Sequence, residues 1–259
     1  MAIEVFNRYE HKYKLTAEQF ERITEVIERH MEPDAYNRDR KPYTIANIYY
    51  DTREDYLIRK SLTKPAYKEK LRLRSYGVPD MDSKVFLEIK KKYKGIVNKR
   101  RTTLTLAEAY EFTRTGIVPE YRDYMNKQVL AELAYFLQRY KLEPKLYLAY
   151  DRLAYFEKGN PDLRISFDVN IRSRRYDVAL EKGDFGDRLL EDDIYLMEIK
   201  TAMAKPLWLT EALSELELRH TSFSKYGTEF KQLVNGGTGD IRRISLDRSM
   251  ESLLSRRAV

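Results

Sequence analysis

The stretch VFLEIKKKYKGIVNKRR, residues 85–101, decides the fold. Alternation along a β-strand places Val85, Leu87 and Ile89 on one side, and Glu88 and Lys90 on the other. The first side reads as a buried sheet face, whereas the second mixes a carboxylate with ammonium groups. We therefore predict a strand and a returning strand whose charged side has a purpose beyond solubility.

The same alternation recurs in several other segments. A similar phrase, IYLMEIK, occurs at 194–200. Its charged side is predicted to carry Glu198 and Lys200. The charged sides of three further strand candidates are predicted to carry, in turn, Arg8, Glu10 and Lys12; Lys68, Lys70, Arg72 and Arg74; and Arg164, Ser166, Asp168, Asn170 and Arg172. Any one such strand is typical of a half-buried antiparallel sheet with its charged side in water. The repetition, and the preference for Arg and Lys at alternate positions, favour a shared role because such cations repel one another unless anions screen them.

Composition narrows the function classes. The chain has 259 residues, 48 Lys and Arg against 41 Asp and Glu, and a formal net charge of +7. This basic balance favours a polyanionic partner. The absence of cysteine excludes disulfides, thiolate metal sites and a cysteine nucleophile, and the three histidines lie far apart in sequence. No apolar run approaches the length of about 20 residues that a membrane span needs, and no secretory signal is evident. We therefore expect a cytoplasmic protein.

The order of predicted elements is strands, a helical insertion, and strands again. We expect a single barrel domain over 1–235, with the helical insertion near 105–141, and a basic C-terminal tail at 236–259 that ends in a short amphipathic piece. Capping boxes at Thr16/Gln19 and Thr105/Glu108 mark two helix starts. Strands are predicted at 4–15, 43–51, 66–76, 84–92, 97–104, 145–156, 162–169, 171–179 and 194–200; further helices are predicted at 53–62, 206–218 and 222–234.

These elements predict an α+β fold: a closed antiparallel β-barrel of about eight strands with helices packed outside. Closure would place the cations in a lumen, forming a charged tunnel. Cations in such excess are too costly to bury unless a polyanion lies among them. The tunnel is therefore expected to hold a phosphate chain. Lys91 should then point outward, Lys99 and Arg101 should return toward the anion path, and Lys92 is left unassigned.

At this point the chain resembles a known family, the triphosphate tunnel metalloenzymes (CYTH-like proteins), and within them the polyphosphate polymerase domain of the vacuolar transporter chaperone complex, the VTC domain. The matching segments are RYEHKY at 8–13, YYDT at 49–52, KLRLRSYG at 70–77, FLEIKKK at 86–92, NKRR at 98–101, AYDRLAY at 149–155, LRISFD at 163–168, LMEIK at 196–200 and SFSKYGTEF at 222–230. The superfamily's opening Glu-x-Glu-x-Lys pattern reads here as Arg8-x-Glu10-x-Lys12. Arginine in place of the first glutamate argues against a hydrolase with several N-terminal metal ligands. In this respect the chain resembles the polymerase branch, which has fewer carboxylates in its tunnel.

The resemblance implies roles for individual residues. Phosphate binding is expected from Lys12, Lys70, Arg72, Arg74, Lys90, Lys99, Arg101, Arg152, Arg164, Lys200, Ser224 and Lys225. Catalysis is expected from Lys12, Arg72, Arg74, Lys90, Arg152 and Glu198. Glu198 is the expected ligand of Mn²⁺ or Mg²⁺, while Glu10 and Glu88 either assist it or balance neighbouring cations. Ser224 either donates to a phosphate or caps the last helix.

The resulting functional expectation is a metal-dependent polymerase that transfers the γ-phosphate of ATP onto a growing inorganic polyphosphate chain. Phosphoryl transfer asks mainly for positioning and charge stabilisation, and neither a Ser/His/Asp constellation nor a Gly-rich phosphate loop is evident. Two alternatives stay open. The first is a hydrolase of inorganic triphosphate or of a nucleoside or thiamine triphosphate. The second is a non-catalytic module that binds polyphosphate or nucleic acid, although nucleic acid is not the expected partner. An unidentified membrane partner that receives the product also stays open.

Overall fold

The computed structural model describes residues 9–37, 39–94 and 96–236. Three predicted features lie outside them: the first strand before Tyr9, with Arg8; Gly95 of the hairpin turn; and the tail beyond Gly236 with its amphipathic piece. The strands are β1 (Tyr9–Leu15), β2 (Met31–Pro33), β3 (Tyr43–Asp51), β4 (Tyr67–Tyr76), β5 (Lys84–Tyr93), β6 (Ile96–Thr105), β7 (Glu143–Glu157), β8 (Asn160–Arg174), β9 (Asp187–Arg188) and β10 (Tyr195–Thr201). The helices are α1 (Ala17–His30), α2 (Tyr56–Leu62), α3 (Leu106–Thr115), α4 (Lys127–Arg139), α5 (Leu207–Glu215) and α6 (Lys225–Gly236).

The ten strands form one antiparallel sheet, which confirms the α+β fold. Its main path runs β1-β10-β8-β7-β3-β4-β5-β6, with β2 beside β7 and β9 beside β8. Over the described ranges no backbone ladder joins β1 to β6, so closure by hydrogen bonds is not observed. The sheet nevertheless curls: Glu10 and Lys12 on β1 lie near enough to Lys90 on β5 for their charges to shift its pKa. The two ends of the sheet therefore approach each other across the inner face.

The outer face of the sheet carries two apolar cores. One packs β3, β4, β5 and β7 against α3 and α4, and it includes Val85, Leu87 and Ile89, as predicted. The other packs β1, β8 and β10 against α1 and α5. The predicted capping boxes begin α1 and α3. Lys91 also points outward and lies 2.5 Å from Glu132 of α4. None of the described helices combines the length and apolar character that crossing a bilayer requires.

Helix α6 departs from the expectation that helices pack outside. Its side chains Tyr226 and Phe230, together with Phe223 just before it, pack onto Ile45, Tyr49 and other apolar residues of β3 and β7. Tyr49 shares a face with Arg72, because the two are register partners. Helix α6 therefore covers part of the inner face. An amphipathic helix has the same sequence pattern whichever face of a sheet it covers.

Strand β8 is continuous where the sequence predicted two strands. The break in the pattern comes from Asn170, which has a φ of 48° at a register shift opposite Ala149 and Asp151. A bulge of this kind moves the residues beyond it to the opposite side. Arg172 consequently leaves the predicted charged row and binds Asp151 and Asp184 instead.

A cationic inner face as the candidate functional site

Strand register gathers the predicted site residues on the inner face. The ladder aligns Lys12 with Glu198 and Glu88 with Arg101. We call this surface the cationic face; the predicted residues that it brings together are Glu10, Lys12, Lys70, Arg72, Arg74, Glu88, Lys90, Lys99, Arg101, Arg152, Arg164, Glu198 and Lys200. Lys225 joins them from the first turn of α6. Ser224 caps α6, accepting from the amide of Gly227 at 3.2 Å.

Glu198 lies at the centre of one half of the cationic face. Its Oε1 is 2.6 Å from the Nζ of Lys12 and 3.7 Å from that of Lys225. Its Oε2 is 3.5 Å from Lys200 and 3.7 Å from Arg152. Burial alone would raise the pKa of Glu198, but these four cations together hold it well below its usual value. The carboxylate is therefore ionised and surrounded by positive charge.

Asp168 is a site residue that sequence reasoning missed. It is fully buried and accepts two hydrogen bonds from the guanidinium of Arg152, at 2.6 and 2.8 Å. Lys225 donates to the same carboxylate. Burial opposes ionisation, yet Arg152 and Lys225 lower the pKa of Asp168. The signal was present, since Asp168 shares the charged row of Arg164.

Glu88 organises the opposite half of the face. It accepts from the Nε of Arg72 at 2.6 Å and from Lys99 at 3.1 Å, and the Nε of Arg74 is 3.9 Å away. Burial would raise the pKa of Glu88, but Arg72, Arg74 and Lys99 lower it. Arg74 is further fixed by Asn47, another residue that the sequence reasoning missed, at 3.0 Å.

Lys70 and Lys90 lack the carboxylate partner that the other central cations have. Neither ammonium group forms an ion pair with a carboxylate within the described parts of the chain. Burial and the charge of neighbouring Lys90 lower the pKa of Lys70 to about 7. Burial, partly offset by Glu10, lowers the pKa of Lys90 to about 8. An anion bound beside them would stabilise both charges.

The remaining predicted cations lie toward the edges of the face. Arg164 is 3.4 Å from Asp34. The guanidinium of Arg101 is exposed and lies 4.7 Å from the ring centroid of Phe86. These two residues thus lie at the rim of the cationic face.

A family model for the VTC domain matches residues 7–234. The chain belongs to the VTC domain family. This confirms the resemblance noted from the ordered sequence segments. No curated protein matches the sequence significantly.

Solved structures show the same fold at low sequence identity. The VTC domain is similar to a putative adenylate cyclase from Bacillus halodurans, with a TM-score of 0.51, 14% identity, and 86% of this chain and 96% of the other covered. A putative adenylyl cyclase from Hippeastrum, described as having a dominant triphosphatase activity, gives a TM-score of 0.49 at 16% identity, with 86% and 94% covered. The likeness to the Bacillus halodurans structure shows a shared fold alone.

The donor set of this VTC domain fits a divalent ion held jointly with phosphate. Glu10 and Glu198 converge on one cation, the ammonium group of Lys12, whose Nζ is 3.1 Å from an oxygen of Glu10 and 2.6 Å from one of Glu198. Within the described ranges no cluster of three or more acidic or histidine donors is found. Mg²⁺ commonly uses one or two carboxylates plus substrate phosphates and water. Glu88, by contrast, shares none of its three cations with a second carboxylate among the described residues.

Proposed function

We propose that this VTC domain is a phosphotransferase that moves the terminal phosphate of ATP onto inorganic polyphosphate along the cationic face. The observation that carries the proposal is the excess of cations on the inner face, above all the half-buried Lys70 and Lys90, neither of which forms an ion pair with a carboxylate within the described ranges. Buried, unpaired charge is costly. A polyanion lying along the face would supply the missing partner.

The length of the cationic row favours a phosphate chain over a lone triphosphate. On β4 the alternate residues from Lys68 to Arg74 all carry positive charge on the inner side. Six residue steps along a strand span about 20 Å, which is longer than a triphosphate. Lys90 and Lys99 on the neighbouring strands continue the row sideways. Such a surface suits a ligand that slides or grows.

The carboxylates of Glu88 and Asp168 hold arginine side chains in place. Glu88 orients the planar fork of Arg72, and Asp168 orients that of Arg152 through two hydrogen bonds. Guanidinium forks held in this way present their remaining N–H groups to phosphate oxygens in fixed geometry. Preorganised donors of this kind stabilise charge on a transferring phosphoryl group.

The transfer itself needs no general base. A terminal oxygen of polyphosphate, already ionised, forms a bond to the γ-phosphorus of ATP while the bond from that phosphorus to the β,γ-bridging oxygen breaks, and ADP leaves with the electron pair. Lys12, Arg152 and Lys225, which surround Glu198, stabilise the charge that develops on the transferring phosphoryl group. Glu198 and Glu10 would hold Mg²⁺ or Mn²⁺, which supplies charge neutralisation on phosphate oxygens when it is bound.

The test is to incubate the purified chain with ATP and Mn²⁺ and to separate the products by gel electrophoresis. Long polyphosphate with ADP supports the proposal. Orthophosphate with ADP alone would show a triphosphatase, and tight polyphosphate binding without turnover would show a binding module. Glu198→Gln should lower turnover at least about 100-fold with an unchanged circular dichroism spectrum. Glu132→Gln, the same change on the outer face, should leave turnover intact.

A further inference from the structure

A cavity of about 450 Å³ lies beside the exposed edge of β6. Its walls include Phe86, Arg101 and Thr103 from the sheet, and Tyr121 and Lys127 from the connection between α3 and α4 and the start of α4. This connection is anchored to β6 by the amide of Asn126, which donates to Thr102 at 2.9 Å. The cavity therefore has one wall on the cationic face and one wall beyond the sheet edge.

The lining combines aromatic rings with polar side chains. Two cations lie over these rings: Arg101 at 4.7 Å from Phe86 and Lys127 at 4.0 Å from Tyr121. Aromatic rings add nothing to the binding of inorganic phosphate. They do favour flat, π-bearing groups, which stack on them irrespective of sequence. The volume lies within the range of small-molecule sites.

The position of the cavity suits the nucleoside part of a nucleotide. Arg101 belongs to both the cavity and the cationic face. It lines the cavity, and it is the register partner of Glu88, which accepts a hydrogen bond from Arg72. Phe86 precedes Glu88 by two residues on the same side of β5, a separation of about 7 Å. A ribose can bridge that distance between the phosphates on the cationic face and a base in the cavity.

We infer that this cavity is the nucleobase subsite, with Tyr121 and Phe86 as the stacking side chains and Arg101 at the junction with the phosphates. The inference rests on the proposed function in taking a nucleoside triphosphate as the phosphate donor. Thr103 and the amide nitrogen of Gln128 offer hydrogen bonds to the edge of the base; the oxygen of Gln128 already accepts from Arg100 at 2.9 Å. Selection of ATP over inorganic triphosphate therefore originates here.

The test compares ATP with inorganic tripolyphosphate on the full chain by isothermal titration calorimetry. Tyr121→Ala should weaken ATP binding about five- to tenfold, at the lower end of the range measured for single stacking contacts, and leave tripolyphosphate binding unchanged. Tyr76→Ala is the matched control: this tyrosine is exposed, does not line the cavity, and contacts Phe86 edge-on at 5.8 Å between ring centroids. Tyr76→Ala should change neither ligand's affinity. Circular dichroism confirms that both variants fold.

Each outcome decides the inference separately from the proposed function. Loss of ATP preference in Tyr121→Ala alone supports the subsite even if the chain proves to hydrolyse ATP or only to bind it. Equal affinities of the unchanged protein for ATP and tripolyphosphate overturn the subsite and leave the phosphate path untouched. Loss of preference in Tyr76→Ala instead of Tyr121→Ala also overturns it, because the base would then lie on the aromatic rim of Tyr36, Tyr43 and Tyr76.

Discussion

Raising the pH from 6 to 9 should weaken tripolyphosphate binding through the two unpaired lysines. In the free protein the pKa of Lys70 is lowered to about 7 and that of Lys90 to about 8. A bound polyanion raises both values, so binding above these pH values requires proton uptake. Below pH 7 both lysines are charged before and after binding, and affinity is at its maximum.

The magnitude follows from the two lowered values. For each lysine, every pH unit above its pKa in the free protein lowers the affinity for tripolyphosphate by up to a factor of ten. Between pH 6 and 9, deprotonation of Lys70 then lowers the affinity about 100-fold, and deprotonation of Lys90 lowers it about tenfold. The total approaches 10³, or about 4 kcal/mol.

Calorimetric titration at constant ionic strength measures this effect, and buffers of different ionisation enthalpy count the protons taken up. Arginine stays charged across this range, so Lys70→Arg should retain only about a tenfold change. The double variant Lys70→Arg, Lys90→Arg serves as the reference, since the ligand's own ionisation is common to all variants. A wild-type slope equal to that of the double variant would refute the reasoning, because the free lysines would then be charged at pH 9.

Three further outcomes follow from the packing. Lys90→Ala should weaken polyphosphate binding at least about tenfold, whereas Lys91→Ala, on the outer side, should change it less than twofold; equal effects in a binding assay would contradict the assigned strand faces. Asp168→Asn removes the nearest carboxylate of Arg152 and Lys225, each of which then keeps only Glu198 among the described carboxylates, at 3.7 Å. It should lower the free energy of unfolding by about 3 kcal/mol in urea titration, and a loss below about 1 kcal/mol would contradict its role. Phe230→Ala should lower the free energy of unfolding by about 3–5 kcal/mol, because the ring of Phe230 fills the inner core. Leu233→Ala, on the exposed side of α6, should lower it by less than about 1 kcal/mol. A larger loss for Leu233→Ala than for Phe230→Ala would place α6 outside the sheet.

Strand alternation predicted which residues share the inner face, because side-chain direction in a strand has a strict period of two. This sufficed for Glu88, Lys90 and Lys91, whose orientations the structure confirms. Partner identity could not be predicted in this way. The contact between Asp168 and Arg152 depends on which strands are neighbours and on their register, and a single sequence gives neither.

The position of α6 and the course of β8 were beyond sequence reasoning for different reasons. An amphipathic helix does not show which surface it covers, so the inner packing of Tyr226 was not foreseen. At Asn170 a positive φ shifts the pattern by one residue, and the shift reads as the end of a strand. Both features depend on contacts made across the whole sheet.

The pairing of β1 with β10 has a consequence for how the protein is made. Lys12 meets Glu198 only after 186 further residues have been added, which at typical synthesis rates takes about 10–40 s. During that time the segment that becomes β1 has no strand to pair with, and contacts of such long range also slow folding. Glu198 is thus among the last parts of the described sheet to emerge, so a stalled or truncated chain exposes its basic strands to cellular polyanions before the cationic face is complete.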